Sequence, residues 1–217
     1  MSLPRVPARF AHLADKISAG GGYSTEKLDA IEFCKQHTAA VLDARIPVRF
    51  AGARVDHPQV AAWVRRYLDN PAGCPSLVLA GNTGTGKTWL CWAALRAAVE
   101  GLAASGRRVM WRAVTHPDLN ASQRVKADGS HNTALHDFMA AELLMLDDLG
   151  AGKNTDWTED TLYRLVDYRW SHNLPTIYST NLVPKQLVDT VGERVVSRLG
   201  DAVRVQIVGG DRRWVKA

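Results

Sequence analysis

The octet Gly81-Asn82-Thr83-Gly84-Thr85-Gly86-Lys87-Thr88 constrains this chain more than any other stretch. It fits G-x-x-x-x-G-K-[ST] at every fixed position. The spacing has a physical meaning. Its glycines let the backbone turn tightly, so that successive N–H groups point inward as an anion nest. Lys87 is placed to reach the β- and γ-phosphates of a nucleotide, and the Thr88 hydroxyl to complete the shell of a Mg²⁺ ion. The motif needs a strand before it and a helix after it, because the helix N-terminus adds N–H donors and a positive dipole end. Both are present. Leu77-Val78-Leu79-Ala80 reads as a buried strand, and Leu90, Ala93, Ala94, Ala97 and Ala98 recur at helical spacing. These features imply a nucleoside-triphosphate site.

A second motif supports the first. Leu143-Leu144-Met145-Leu146-Asp147-Asp148 is four apolar residues followed by two carboxylates, a buried strand ending in acids. As a parallel strand beside the phosphate loop, it would put Asp147 near the metal. Asp148 could then orient or deprotonate an attacking water. Val109 to Val114 reads as a strand between the two motifs. Thr176-Ile177-Tyr178-Ser179 is a short strand ending in Thr180-Asn181. A polar residue at the C-terminal end of a parallel strand faces the ligand crevice, so Asn181 could touch the γ-phosphate or the water. Taken alone, it reads first as a turn-forming residue before Pro184. Val203, Val205 and Ile207 alternate with Arg204 and Gln206 as a last strand. Five strands alternating with helices predict an α/β fold, a five-stranded parallel sheet with helices on both faces and nucleotide at the strand ends. The strand between the two motifs and the polar residue ending the strand after the acids suggest an ATPase, and no acceptor site for a nucleotide kinase is evident.

The remaining segments are expected to frame this core. Residues 1 to about 22 carry Pro4, Pro7 and Gly20-Gly21-Gly22 and read as loosely ordered. Ser24 or Thr25 can cap a helix to about Asp43 with Leu28, Ile31, Cys34, Val41 and Leu42 on one face, which either packs on the core or forms a partner-docking arm. A further helix runs from His57-Pro58 to Asn70. Thr115 to Thr133 is polar and reads as a loop. Its Arg124 and Lys126 are either solvated charges or contacts for phosphates. Helices are expected over Leu135 to Ala141, over Asp160 to His172 with Leu162, Leu165, Val166 and Trp170 on the apolar side, over Lys185 to Thr190 and over Glu193 to Leu199. The last carries Arg194 and Arg198 on one face.

Composition narrows the setting. The 217 residues are 46% hydrophobic and 23% charged, with a net charge of +5 and a pI near 9.3. That fits either an acidic partner such as nucleic acid or a merely basic surface. Cys34, Cys74 and Cys91 are odd in number and far apart, so neither a zinc nor a disulfide framework is expected, and a reduced, cytoplasmic protein is. The seven histidines show no metal-ligand spacing. No run is apolar enough to span a membrane, and MSLPRVPARFAHLADK lacks a signal-peptide core.

GNTGTGKT, LLMLDDLG, PTIYSTNL and GERVVSRL, led in by IPVRF, occur here in an order and at intervals that resemble the AAA+ domain of DnaC-type bacterial and phage replicative-helicase loaders. The resemblance covers about Ile46 to the C-terminus. It implies a P-loop AAA+ (ASCE) ATPase domain over 46–217, using ATP and Mg²⁺, behind an N-terminal helical arm over 1–45 that could dock a helicase. It implies a hexameric replicative helicase and single-stranded DNA as partners. By the family's pattern Asn181 is sensor 1. Arg198 is a finger reaching a neighbour's ATP in a self-assembly, with Arg194 beside it. Arg212 or Arg213 falls at the sensor 2 position, and the segment around Arg124 and Lys126 falls where the family carries a DNA-contacting helix. The chain departs from the pattern in showing no N-terminal zinc site. Asp148 also replaces a common glutamate, which implies slow basal hydrolysis, and little or no lid domain is expected after Arg198. Two alternatives stand beside this, the first sharing the same motifs and the second opposed by the acids and the finger arginine. One is the helper ATPase of insertion-sequence transposition, the other a non-hydrolysing adaptor switched by ATP.

Overall fold

A computed structural model describes residues 25–122, 134–152 and 155–211. Strands β1 (Leu77–Ala80), β2 (Trp111–Thr115), β3 (Leu143–Asp147), β4 (Thr176–Thr180) and β5 (Val203–Gln206) form one sheet in the order β2-β3-β4-β1-β5. Every pairing is parallel, and the registers set Ala80 beside Thr180 and Thr115 beside Asp147. The central strands are apolar on both faces because both faces are covered. Leu77, Leu79, Leu143, Met145 and Ile177 point to one core, while Val78, Leu144, Leu146 and Tyr178 point to the other.

This strand order corrects one expectation. The strand ending in Asp147 is not beside the phosphate-loop strand; β4 lies between them. Apolar patterning identifies strands but leaves their order open, since a parallel crossover can skip positions. The insertion places the end of β4, with Ser179 and Asn181, between the two nucleotide motifs.

Helices α1 (Thr25–Arg45), α2 (Pro58–Asp69) and α3 (Lys87–Ala104) cover the first face. Small residues let α3 lie close to the sheet: Ala93, Ala94, Ala98 and Cys91 are all at most 1% exposed. Cys34, Thr38, Leu42 and Ile46 follow at intervals of four and are buried, so the C-terminal half of α1 packs into the core. Asp43 also pairs with Arg96 of α3 at 2.9 Å. Leu28, expected on the same face, is 53% exposed.

The second face carries α4 (His116–Ser122), α5 (Ala134–Ala140), α6 (Asp156–Ser171), α7 (Pro184–Val191) and α8 (Glu193–Arg198). Helix α4 stands where a polar loop was expected. The Thr115 hydroxyl accepts from the Asp118 N–H at 3.1 Å, and one apolar residue, Leu119, is fully buried. Helix α6 starts earlier than expected because Thr155 caps it, accepting from the Thr158 N–H. Its buried stripe is Leu162, Leu165, Val166 and, unexpectedly, Arg169, while Trp170 turns outward at 45% exposure. Arg169 is 1% exposed. Its guanidinium donates to the carbonyls of Phe138, Met139, Ala141 and Pro175 and to the Thr176 hydroxyl, joining the end of α5 to the start of β4. Burial pushes its pKa down to about 10, so it stays charged at neutral pH.

Candidate nucleotide site

The phosphate loop spans the turn from β1 into α3. Gly86 caps α3 with φ 97°, a left-handed conformation that costs an L side chain dearly. Gly84 has φ 83°, and a side chain there would also collide with the Asp211 carboxylate, so the chain after β5 returns to this loop. Thr85 and Lys87 both bond the Asn82 carbonyl, the hydroxyl at 2.9 Å and the amine at 2.8 Å. Lys87 is buried at 5% exposure, and its ammonium sits inside the curl of the loop.

The acids meet this loop across the end of β4. Thr88 donates its hydroxyl to Asp147 Oδ1 at 3.2 Å, over 59 residues of sequence. Ser179 donates to the same oxygen and accepts from the Asp148 N–H at 2.9 Å. Asn181 donates to Asp148 Oδ1 at 3.4 Å. Asp148 itself has φ 54°, an uncommon conformation for a residue other than glycine and one that clusters at functional sites. The turn after it is pinned on both sides. Leu149 donates its N–H to the Ser179 carbonyl at 2.7 Å, Thr180 donates its hydroxyl to the Leu149 carbonyl at 2.8 Å, and Gly150 donates to His116 Nδ1 at 3.2 Å. Burial holds His116 below its ordinary pKa, so the ring is neutral and Nδ1 can accept.

Burial raises the pKa of Asp147. The Ser179 hydroxyl opposes that, the Asp148 charge adds to it, and the Thr88 hydroxyl opposes it again. A hydroxyl and a buried carboxylate on one oxygen-lined point, with a second carboxylate adjacent, are a donor set that fits a hard divalent cation.

The surrounding cleft has a volume of about 590 Å³. Lys87, Thr88, Asp148 and Asn181 line it, as the sequence leads one to expect, together with Arg49, Phe50 and Trp89. Nothing in the sequence patterning assigns a role to these last three, nor to the supporting Ser179 and His116. Arg49 and Phe50 lie in the single turn Val48–Phe50, which no periodicity marks, and only the family lead-in IPVRF signals it.

Arg198 does not line this cleft. Its Nε bonds Asp167 at 2.8 Å, and its guanidinium lies 4.3 Å from the Trp170 ring centre. Arg194 stacks on Tyr163 at 3.7 Å. Arg124, Lys126, Arg212 and Arg213 lie outside the described residues.

A parallel α/β sheet, a glycine-rich loop opening a helix and an acid-ended strand one place removed define an ATP-binding domain of the AAA+ P-loop class. The chain belongs to the family described as IstB-like ATP binding protein, which matches residues 62–203. It is similar to the replicative helicase loader DnaC of Buchnera aphidicola from Acyrthosiphon pisum, 29% identical over 158 residues, which are 69% of this chain and 62% of that protein. It is similar also to DnaC of Escherichia coli K12, 26% identical over 62% of this chain and 54% of that one. The chain thus spans about three fifths of the length of such relatives. A crystal structure of the DnaC helicase loader aligns with a TM-score of 0.63 at 24% identity, covering 75% of this chain and all of that one, which shows a shared fold.

Proposed function

We propose that this protein is an ATPase that loads a replicative DNA helicase onto single-stranded DNA. The convergence of Thr88, Asp147, Asp148 and Asn181 on the phosphate loop carries the ATPase part. The helicase loaders among its relatives support the biological role.

In this reading the Lys87 amine leaves the Asn82 carbonyl for the β- and γ-phosphate oxygens. Thr88 and Asp147 would hold Mg²⁺, which would neutralise phosphate charge. Asp148, fixed by its backbone bond to Ser179 and by the Asn181 amide, takes a proton from the attacking water. The water oxygen bonds to the γ-phosphorus, the bond to the β–γ bridging oxygen breaks, and that oxygen leaves on ADP with the electron pair. Arg198 of a neighbouring subunit offsets the charge that develops. Arg213 or Arg212 acts as sensor 2, in keeping with the contact of Asp211 against Gly84. Arg124 and Lys126 contact DNA phosphates, and the arm over 1–45 meets the helicase in a cytoplasmic assembly.

Phe50 and Trp89 are the aromatic surface for the base. Phe50→Ala is expected to weaken ATP binding about tenfold, since base–aromatic stacking contributes about 1–3 kcal/mol. Inorganic tripolyphosphate should bind the variant and the parent equally. Calorimetric titration of both ligands checks this, and an equal loss for both would place Phe50 in loop support instead.

The role is tested with the replicative helicase of the same cell on circular single-stranded DNA coated with single-strand-binding protein. The protein should form a complex with that helicase and make unwinding depend on ATP. The family's own name favours a second reading, a helper ATPase for DNA transposition. No complex with the helicase, together with ATP-dependent assembly on duplex DNA, would replace the loader reading with that one.

A further inference from the structure

Trp170 should be in the core by its place in the α6 pattern, yet it is 45% exposed. The structure gives it another occupation. Tyr163, Asp167 and Trp170 follow at i, i+4 and i+7 on α6, so they share one face. Arg194 and Arg198, at i and i+4, share the facing side of α8. The two rows interlock, Arg194 on the Tyr163 ring at 3.7 Å and Arg198 on the Trp170 ring at 4.3 Å. The Trp170 indole donates to Asp201 at 3.3 Å, which fixes the orientation of the ring. Beneath them Leu162, Leu165 and Val166 pack in one core with Val195 and Leu199, so both helices stand on a rigid base.

The Asp167 bond reaches Arg198 through Nε. That is the inner nitrogen of the guanidinium. The Tyr163 hydroxyl also bonds the Arg198 side chain, and the two terminal nitrogens, the fork that grips a phosphate in two parallel hydrogen bonds, make no hydrogen bond to a carboxylate among the described residues. An arginine put out of use would show the opposite, with its terminal fork closed on an acid. Asp167 is held below its ordinary pKa, first by the Arg198 hydrogen bond, so its carboxylate is charged at neutral pH. Stacking fixes one face of the guanidinium plane and Asp167 fixes its inner edge, while Arg198 keeps a side-chain exposure of 31%.

We infer that Asp167 and Trp170 form a cradle that presents the terminal nitrogens of Arg198 to the nucleotide of a neighbouring subunit, which makes them positioning residues for its hydrolysis. This rests on Arg198 acting in trans. A long arginine side chain loses much rotamer freedom when it is immobilised. A cradle that fixes it before the subunits meet removes that loss from the transition state, where a misplacement of about 1 Å is costly.

The test is steady-state ATP hydrolysis by the full chain across protein concentrations, with Arg198→Ala as the reference. Asp167→Asn is expected to lower kcat about tenfold to a hundredfold and leave the KM for ATP unchanged, the signature of an interaction made in the transition state. Asp167→Glu should recover part of the loss, as should Trp170→Phe relative to Trp170→Ala. Mixing Asp167→Asn with Lys87→Ala should restore turnover, because the intact ATP site of one meets the intact finger and cradle of the other. Unfolding midpoints close to the parent's keep the comparison free of folding effects, and Trp170→Ala serves if Asp167→Asn is unstable. If Arg198→Ala is inactive while Asp167→Asn turns over at the parent rate, the cradle is wrong and the finger stands. Faster turnover in Asp167→Asn makes the pair a restraint, and a loss that mixing does not relieve puts Asp167 to work within its own subunit. Either result overturns the inference. Arg198→Ala at the parent rate removes the trans finger itself.

Discussion

Arg198→Ala protein is expected to bind ATP as the parent does and to lose at least about three orders of magnitude in turnover. Binding should survive because Arg198 is absent from the cleft of its own chain and is tied instead to Asp167 and Trp170. Turnover should fall because, among the described residues, only Lys87 and Arg49 bring positive charge to the cleft, and charge develops on the γ-phosphate as its bond breaks. An arginine supplied in trans contributes about 10³ to 10⁵ in kcat in well-studied phosphoryl transfers. The shorter Asp148, a weaker grip on water than a glutamate, places this protein towards the lower end. Lys87→Ala should bind no measurable ATP, since its buried amine is the charge the loop is folded around. Neither variant alone should hydrolyse ATP, and a mixture should recover part of the parent rate. Equilibrium ATP titration of each variant as a monomer, followed by hydrolysis by the mixture, checks both halves. Loss of ATP affinity in monomeric Arg198→Ala would put the arginine in its own active site.

The second large effect concerns stability. Arg169→Ala should destabilise the fold by about 3–5 kcal/mol, since several buried acceptors are left unsatisfied at about 1–3 kcal/mol each. Five acceptors lose their donor at once: four carbonyls at the end of α5 and the start of β4, and the Thr176 hydroxyl. Water cannot easily replace it where the side chain is 1% exposed. Arg169→Lys should recover little, because one ammonium cannot match a planar fork that reaches both elements. Urea unfolding measures the difference. A loss below about 1 kcal/mol would mean that the acceptors find other partners, and Arg169 would then not be the joint between α5 and β4.

The sequence by itself determined the nucleotide motifs, because they are local. Gly84 and Gly86 must adopt left-handed φ values, Lys87 and Thr88 must open a helix, and Asp147 and Asp148 must end an apolar strand, so their spacing is their function. It also determined the five strands and most of the helices, because burial on one or two faces writes a period into the chain. Where the period is weak the sequence does not reveal the element: α4 buries one leucine fully and its stretch reads as a loop, and the turn that brings Phe50 to the cleft has no period at all. Only the tertiary structure decided the order of the strands, and with it the insertion of β4 that sets Ser179 against Asp147 and Asn181 against Asp148. It alone also exchanged the expected places of two neighbours on α6. Arg169 went inward because unpaired carbonyls of α5 and β4 wait there, and Trp170 outward because Arg198 and Asp201 hold it. A helix fixes which side chains share a face. What that face meets depends on partners that arrive from distant parts of the chain.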